Sequence, residues 1–153
     1  MSRQVIAIGS EHAGYALKAA LVEDLRALGY EPLDVGPSSE SSVDYPDYAF
    51  AVATAVIGGK AASGVLICGT GIGMSIAANR HSGIRAALCT HGIMAKFARE
   101  HNDANILVLG SRIIGTEVAA DCLRQFLTTP FSGGRHVARV AKLSNPRFEE
   151  PAL

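Results

Sequence analysis

Gly64-Val65-Leu66-Ile67-Cys68-Gly69-Thr70-Gly71-Ile72-Gly73-Met74-Ser75-Ile76-Ala77-Ala78-Asn79 is the stretch from which the rest of the chain can be placed. A short apolar run leads into a glycine cluster, and small residues at helical spacing follow. This is the pattern of a buried strand, a tight loop and a helix start. Glycines 69, 71 and 73 leave the loop backbone without side-chain cover, so its N–H groups can face a ligand at the positive end of the helix. Cys68 stands at the lip of that loop. A helix N-terminus favours the thiolate, the form in which cysteine acts as base or nucleophile. Free cysteine is also a common core residue, but the place of Cys68 beside three glycines argues for the active role. The glycines do not make a dinucleotide fingerprint. Met74 stands where the last Gly is needed, the motif does not follow the first strand, and Thr90 replaces the acid expected after the next strand. No Gly-Lys-Ser/Thr follows, which excludes a Walker loop.

Outward from this stretch, strands and helices alternate. Gln4 to Gly9 reads as a buried strand, and Ser10-Glu11-His12-Ala13-Gly14 as a polar loop opening a helix whose Ala16, Leu17, Ala20, Leu21, Leu25 and Leu28 share one face before Gly29. Glu31 to Val35 is a second strand and Gly36 to Val43 a Ser-rich loop. Asp44-Tyr45-Pro46 starts a helix that runs through Ala55 to Gly58-Gly59, with Pro suited to its first turn. Beyond the organising stretch, the pattern predicts a strand over Ile84 to Cys89, a helix over Ile93 to Glu100, a strand over Asn105 to Leu109 and an amphipathic helix over Gly115 to Leu127. Strands that are apolar end to end, separated by helices, imply an α/β three-layer sandwich: a five-stranded, mostly parallel, doubly wound (Rossmann-like) sheet. One domain is expected over 1–143, with a tail over Ser144 to Leu153 that is disordered or lies on a neighbour.

Composition narrows the partners. The 153 residues carry 14 basic and 14 acidic side chains, a balance that offers no field for nucleic acid or an anionic membrane. No apolar run approaches the ~20 residues of a membrane span. The chain opens directly into a strand rather than a charged leader, so a cytoplasmic protein is expected. Cys68, Cys89 and Cys122 show no metal-ligand spacing and read as reduced thiols. A small neutral or anionic metabolite is the expected ligand.

In a parallel sheet, ligands bind beyond the C-terminal strand ends. Glu11, His12, Cys68, Thr70, His91, Ser111 and Arg112 all fall there. Two further clusters are placed at this rim or beside it. Arg99-Glu100-His101-Asn102-Asp103-Ala104-Asn105 is dense in hydrogen-bonding groups, and His101 can exchange protons near neutral pH; the same run can equally cap a helix and turn the chain. Gly133-Gly134-Arg135-His136-Val137-Ala138-Arg139 puts Arg135 and Arg139 on one helical face, where two guanidinium forks suit a phosphate monoester.

Together the residues quoted above, with Gly110-Ser111-Arg112, resemble the ribose/galactose isomerase family in its type B ribose-5-phosphate isomerase branch, over nearly the whole chain and in the family's order. The resemblance implies interconversion of ribose 5-phosphate and ribulose 5-phosphate through a cis-enediol(ate), without metal or organic cofactor. It also implies a homodimer with sites shared between subunits, sometimes paired into tetramers. Carried over residue by residue, the base between C1 and C2 falls on Cys68, the ring-opening acid/base on His101, and its assistant on Thr70. The amides of Gly69, Gly71, Ile72 and Gly73 match the donors to the enediolate, with Asn102 beside them. Glu11 and His12 lie in the sugar-binding loop, Asp44 and Tyr45 in a loop at the site edge, and Arg112, Arg135 and Arg139 match the phosphate-binding arginines. Two positions depart from the common pattern. Glu11 replaces the usual Asp, and Met74 stands where a branch lacking the cysteine has a Glu base, so this chain resembles the cysteine branch.

The chemistry asks for such groups whatever the name. Isomerisation needs a ring opened by proton transfer and one base that moves a carbon-bound proton. Fixed N–H donors must meet the developing oxyanion, and a phosphate grip must position C1 and C2. The same machinery would serve a six-carbon phosphosugar, galactose 6-phosphate or allose 6-phosphate. A non-catalytic sugar-phosphate-binding module is the remaining alternative, against which an intact Cys68, Thr70 and His101 count.

Overall fold

The computed structural model describes residues 2–149. Its order is β1 (Val5–Ser10), α1 (Tyr15–Ala27), β2 (Glu31–Gly36), α2 (Tyr45–Ile57), β3 (Ser63–Cys68), α3 (Ile72–Ala78), β4 (Ala86–Leu88), α4 (Gly92–Asn102), β5 (Ile106–Gly110), α5 (Thr116–Thr128) and α6 (His136–Ser144), with a single 3-10 turn over His12–Gly14. The five strands form one sheet in the order β2-β1-β3-β5-β4. Every neighbouring pair is parallel, so the expected "mostly parallel" sheet is fully parallel.

Side chains that alternate along each strand divide the core in two. Ile6, Ile8, Val65, Ile67, Leu107 and Leu109 meet α1, α4 and α5 through residues such as Leu21, Ala95 and Leu123. Ala7, Leu66, Cys68, Ile106 and Val108 meet α2 and α3 through Val52, Met74 and Ala78. Helices therefore cover both faces, which is why β3 and β5 read as unbroken apolar runs. At the strand ends, register decides the site. Ser10 lies opposite Ile67 and Cys68 opposite Gly110, so the loops after β1, β3 and β5 start level with one another.

The structure differs from the sequence reading in three places. The strand expected over Ile84 to Cys89 keeps only three residues, Ala86–Leu88, at the edge of the sheet, where the Asn79 side-chain amide pairs with the Ala86 N–H and C=O at 2.8 and 2.9 Å. Helix α6 lies beyond the last amphipathic helix read from the sequence; it carries Arg135 as its N-cap and buries no residue. Lys18, inside α1, is buried; its Nζ donates to Asp34 Oδ1 and to the Pro37 carbonyl, both at 2.7 Å, and so ties down the loop after β2. Residues 145–149 follow α6 without regular structure, and 150–153 of the expected tail lie outside the described residues.

Candidate active site

The loop after β3 folds back on its own cysteine. Gly71 adopts φ 81°, a left-handed conformation open to glycine, and a Cβ there would stand 2.4 Å from Leu88 Cδ1. That turn aims the Gly71 N–H at Cys68 Sγ, 3.1 Å away, while the Ile72 N–H goes to Thr70 Oγ1 at 3.2 Å. A buried sulfur that accepts an amide hydrogen is placed to carry negative charge, as a base must. The same bonds commit two of the expected enediolate donors, Gly71 and Ile72, inside the loop. Among the described residues the Gly73 amide has no acceptor, and a Cβ on Gly73 would fall 2.6 Å from the Tyr45 ring. Tyr45, in the first turn of α2 after the N-cap Asp44, thus lies over the glycine loop.

The loops after β1 and β5 close around this centre. Glu11 is buried; one carboxylate oxygen accepts the Ala13 N–H at 2.9 Å and the other meets His12 Nδ1 at 2.9 Å. The longer side chain of Glu11 is therefore spent within its own loop, where it caps the short 3-10 turn and fixes the His12 ring. The Val43 N–H, just ahead of Asp44, approaches the same His12 nitrogen at 3.4 Å. From β5, the Ser111 N–H donates to the Cys68 carbonyl and the Arg112 N–H to the Gly69 carbonyl, each at 2.9 Å. The Arg112 guanidinium lies against Gly69, at 3.4 Å from where a Cβ would be. Cys68, Gly69, Thr70, Gly71, Ile72, Gly73, Glu11, His12, Asp44, Tyr45 and Arg112 are thus gathered at one end of the sheet.

The other candidate residues are not there. Helix α4 starts at the rim after β4 and runs back against the strands for 11 residues, about 16 Å. Its last turn therefore carries His101 and Asn102 to the end where strands begin, which corrects the placement of this cluster at or beside the Cys68 rim. Asp103 fixes that end in a left-handed φ of 45°, with its carboxylate shared by Arg99 and Arg85 at 3.0 and 3.3 Å. Helix α6 packs on α4 here. The ring of His136 stacks on that of His101 with centroids 4.6 Å apart, so Arg135 and Arg139 stand at the His101 end as well. A cavity of about 500 Å³ opens beside Asn102, not beside Cys68. The candidate residues of one chain thus fall into two groups at opposite ends of its sheet. The His136 stack went unread in the sequence because it joins helices 35 positions apart, and no local spacing signals it.

The remaining thiols have a different setting. Burial, followed by the neighbouring Cys122, pushes the Cys89 thiol up to about 12; burial and then Asp121 push Cys122 up to about 11. Both belong to the core under α4 and α5. Among the described residues, no group of three or more His, Cys, Asp or Glu side chains is arranged to hold a metal ion, and no helix is long and apolar enough to cross a membrane.

The whole arrangement has close relatives. Residues 6–143 match the family model described as Ribose/Galactose Isomerase. The ribose-5-phosphate isomerase B of Escherichia coli is 45% identical over 139 residues, which cover 91% of this chain and 93% of that one. A putative sugar phosphate isomerase of Bacillus subtilis is 48% identical over 149 residues, covering 97% and 99%. Among solved structures, a ribose 5-phosphate isomerase from Thermotoga maritima superposes with a TM-score of 0.91 at 51% identity, over 94% of this chain and 99% of that one. Fold, loop chemistry and likeness along almost the full length therefore agree, and the chain belongs to the ribose/galactose isomerase family.

Proposed function

We propose that this enzyme interconverts ribose 5-phosphate and ribulose 5-phosphate, with Cys68 as the base. The observation that carries the reading is the buried Cys68 Sγ accepting the Gly71 N–H at 3.1 Å, at the head of β3 and beside the Arg112 guanidinium. In the forward direction His101 protonates the ring oxygen and accepts the C1 hydroxyl proton, which opens the ring. Cys68 removes the proton from C2 and returns it to C1, while the proton on the C2 oxygen moves to that on C1. Charge passes through the enediolate oxygens, where the uncommitted Gly73 amide and Asn102 stabilise it. Thr70 assists ring opening, His12 contacts the sugar, and Arg112, Arg135 and Arg139 grip the phosphate, so that binding at the unreactive end orients C1 and C2. No oxidant enters, since one carbon is oxidised as its neighbour is reduced.

Assembly belongs to the same reading. Cys68 and His101 lie at opposite ends of one sheet, so a complete site takes Cys68 from one chain and His101 from a second. A homodimer with two shared sites satisfies this, and pairing of dimers into a tetramer is compatible with it. The exposed side chains of Tyr45, Ile72, Ile76, Ile93 and Phe97 supply apolar surface for such contacts. A cytoplasmic enzyme whose residues 1–143 form one catalytic unit fits the composition and the sheet.

Turnover on ribose 5-phosphate, compared with galactose 6-phosphate and allose 6-phosphate, tests the substrate. The five-carbon compound should have the highest kcat/KM. A higher value on either six-carbon compound would move the assignment to that substrate, and phosphosugar binding with no turnover on any of them would overturn catalysis.

A further inference from the structure

Catalytic histidines are commonly oriented by a hydrogen bond that one ring N–H donates, usually to a carboxylate or a carbonyl. His101 has no such partner among the described residues; it is held by its faces. The Phe97 ring, one turn earlier on α4, stacks on it at 4.9 Å and 11°, and the His136 ring at 4.6 Å and 15°. Such near-parallel contacts restrict both side-chain torsions of the middle ring and leave its two nitrogens, which lie on the edge, free for protons.

The fold builds the outer half of this clamp. The Ser132 N–H donates to the Glu100 carbonyl at 3.1 Å, which docks the incoming loop on the last turn of α4. Gly133 and Gly134 then take φ values of 64° and 58°, a left-handed pair that reverses the chain. The His136 N–H closes on the Gly133 carbonyl at 3.1 Å and starts α6 with its ring against His101. Without His136 the His101 ring would be stacked on Phe97 alone. Desolvation, the His101 ring, Arg135 and Arg139, in that order, hold His136 below its ordinary value.

We propose that His136 is a positioning residue for ring opening: its imidazole closes the stack on His101 and fixes the plane in which His101 exchanges protons with the sugar. The proposal rests on the reading of His101 as the ring-opening group, and the substrate offers a way to separate the two. Ribulose 5-phosphate is open-chain, so exchange of its C1 hydrogen with solvent needs the base but no ring chemistry. Net conversion of ribose 5-phosphate needs both.

The assembled enzyme would be compared as parent, His136→Ala, His136→Phe and His101→Ala, by turnover of ribose 5-phosphate and by deuterium wash-in at C1 of ribulose 5-phosphate. His136→Ala should lower kcat on ribose 5-phosphate by about tenfold or more, with KM and wash-in within about twofold of the parent. His136→Phe, which restores a flat ring without a titrating group, should recover most of that turnover. Parallel loss of turnover and wash-in in His136→Ala, or no loss of either, overturns the clamp. So does a His136→Phe enzyme as slow as His136→Ala, since His136 would then act through its nitrogens. If His101→Ala fails to separate turnover from wash-in, the ring-opening role of His101 falls and the clamp with it; if His101→Ala separates them and His136→Ala does not, only the clamp falls.

Discussion

The Cys68 thiol is 6% exposed and accepts an amide hydrogen, whereas Cys89 and Cys122 are 1% and 0% exposed and sit among apolar side chains. Cys68→Ser should keep KM near the parent value and lower kcat by about two to four orders of magnitude, because a hydroxyl is a poor base near neutral pH. Deuterium exchange between the sugar and solvent should vanish with it, and retained exchange would point to another base. The two core thiols predict an alkaline effect of fixed sign. Their protons are held in the folded chain to about 12 and about 11, against an ordinary value of 9.0, so between these limits the unfolded chain binds fewer protons. Stability must then fall as pH rises above about 9, by up to ~1.4 kcal/mol per pH unit for each thiol. Denaturant titrations at pH 8 and 10 should show a smaller loss in Cys89→Ala than in the parent. Arg139 is exposed and lies on the His101 side; its replacement by Ala should raise KM about tenfold to a hundredfold, the worth of a charge-assisted hydrogen bond to phosphate, and leave the fold intact.

At the scale of elements, two glycines in one loop should respond differently to the same methyl group. Gly71→Ala forces a side chain into a left-handed φ of 81° and into Leu88 and the Leu109 backbone, both of which are held by the sheet. It should cost about 2 kcal/mol or more and lower the melting temperature by several degrees. Gly73→Ala meets only the ring of Tyr45, which is 42% exposed and able to swing away. Its melting temperature should stay close to the parent, with the loss appearing in kcat/KM as the ring moves off the loop. Equal loss of stability in the two variants would contradict this division between packing and site. The β3 strand, its loop and α3 were legible in sequence because each follows a local rule: branched residues pair in a sheet, glycine permits φ above zero, and small residues start a close-packed helix. The shortness of β4 was not legible, since an edge position and the Asn79 amide that satisfies Ala86 depend on strand order.

For the whole molecule, the proposed site that takes Cys68 from one chain and His101 from another predicts that variants at the two positions complement each other. Cys68→Ser and His101→Ala, refolded together, should form mixed dimers in about half of the population, each with one site that holds both native groups. Activity near a quarter of the parent should return, while separately refolded controls stay inactive. Heterodimers that form by mass yet show no activity would place both residues in a site within one chain and end the shared-site model.

The sequence by itself determined the alternating strands and helices and the parallel sheet covered on both faces, and it marked the glycine loop around Cys68 as the candidate site. Each of these depends on residues close in sequence or on a rule that every parallel sheet obeys: branched apolar runs bury, glycines turn, and loops at the C-terminal strand ends face the ligand. The Cys68–Gly71 contact, seen only in the structure, joins residues three apart through one left-handed glycine. Tertiary structure alone decided the strand order, the stacking of His136 on His101, and the stationing of His101, Arg135 and Arg139 at the far end of the sheet. Those depend on which way α4 runs and on where α6 lands. Both are settled by burial of apolar faces summed over the whole core, which no spacing within the chain records.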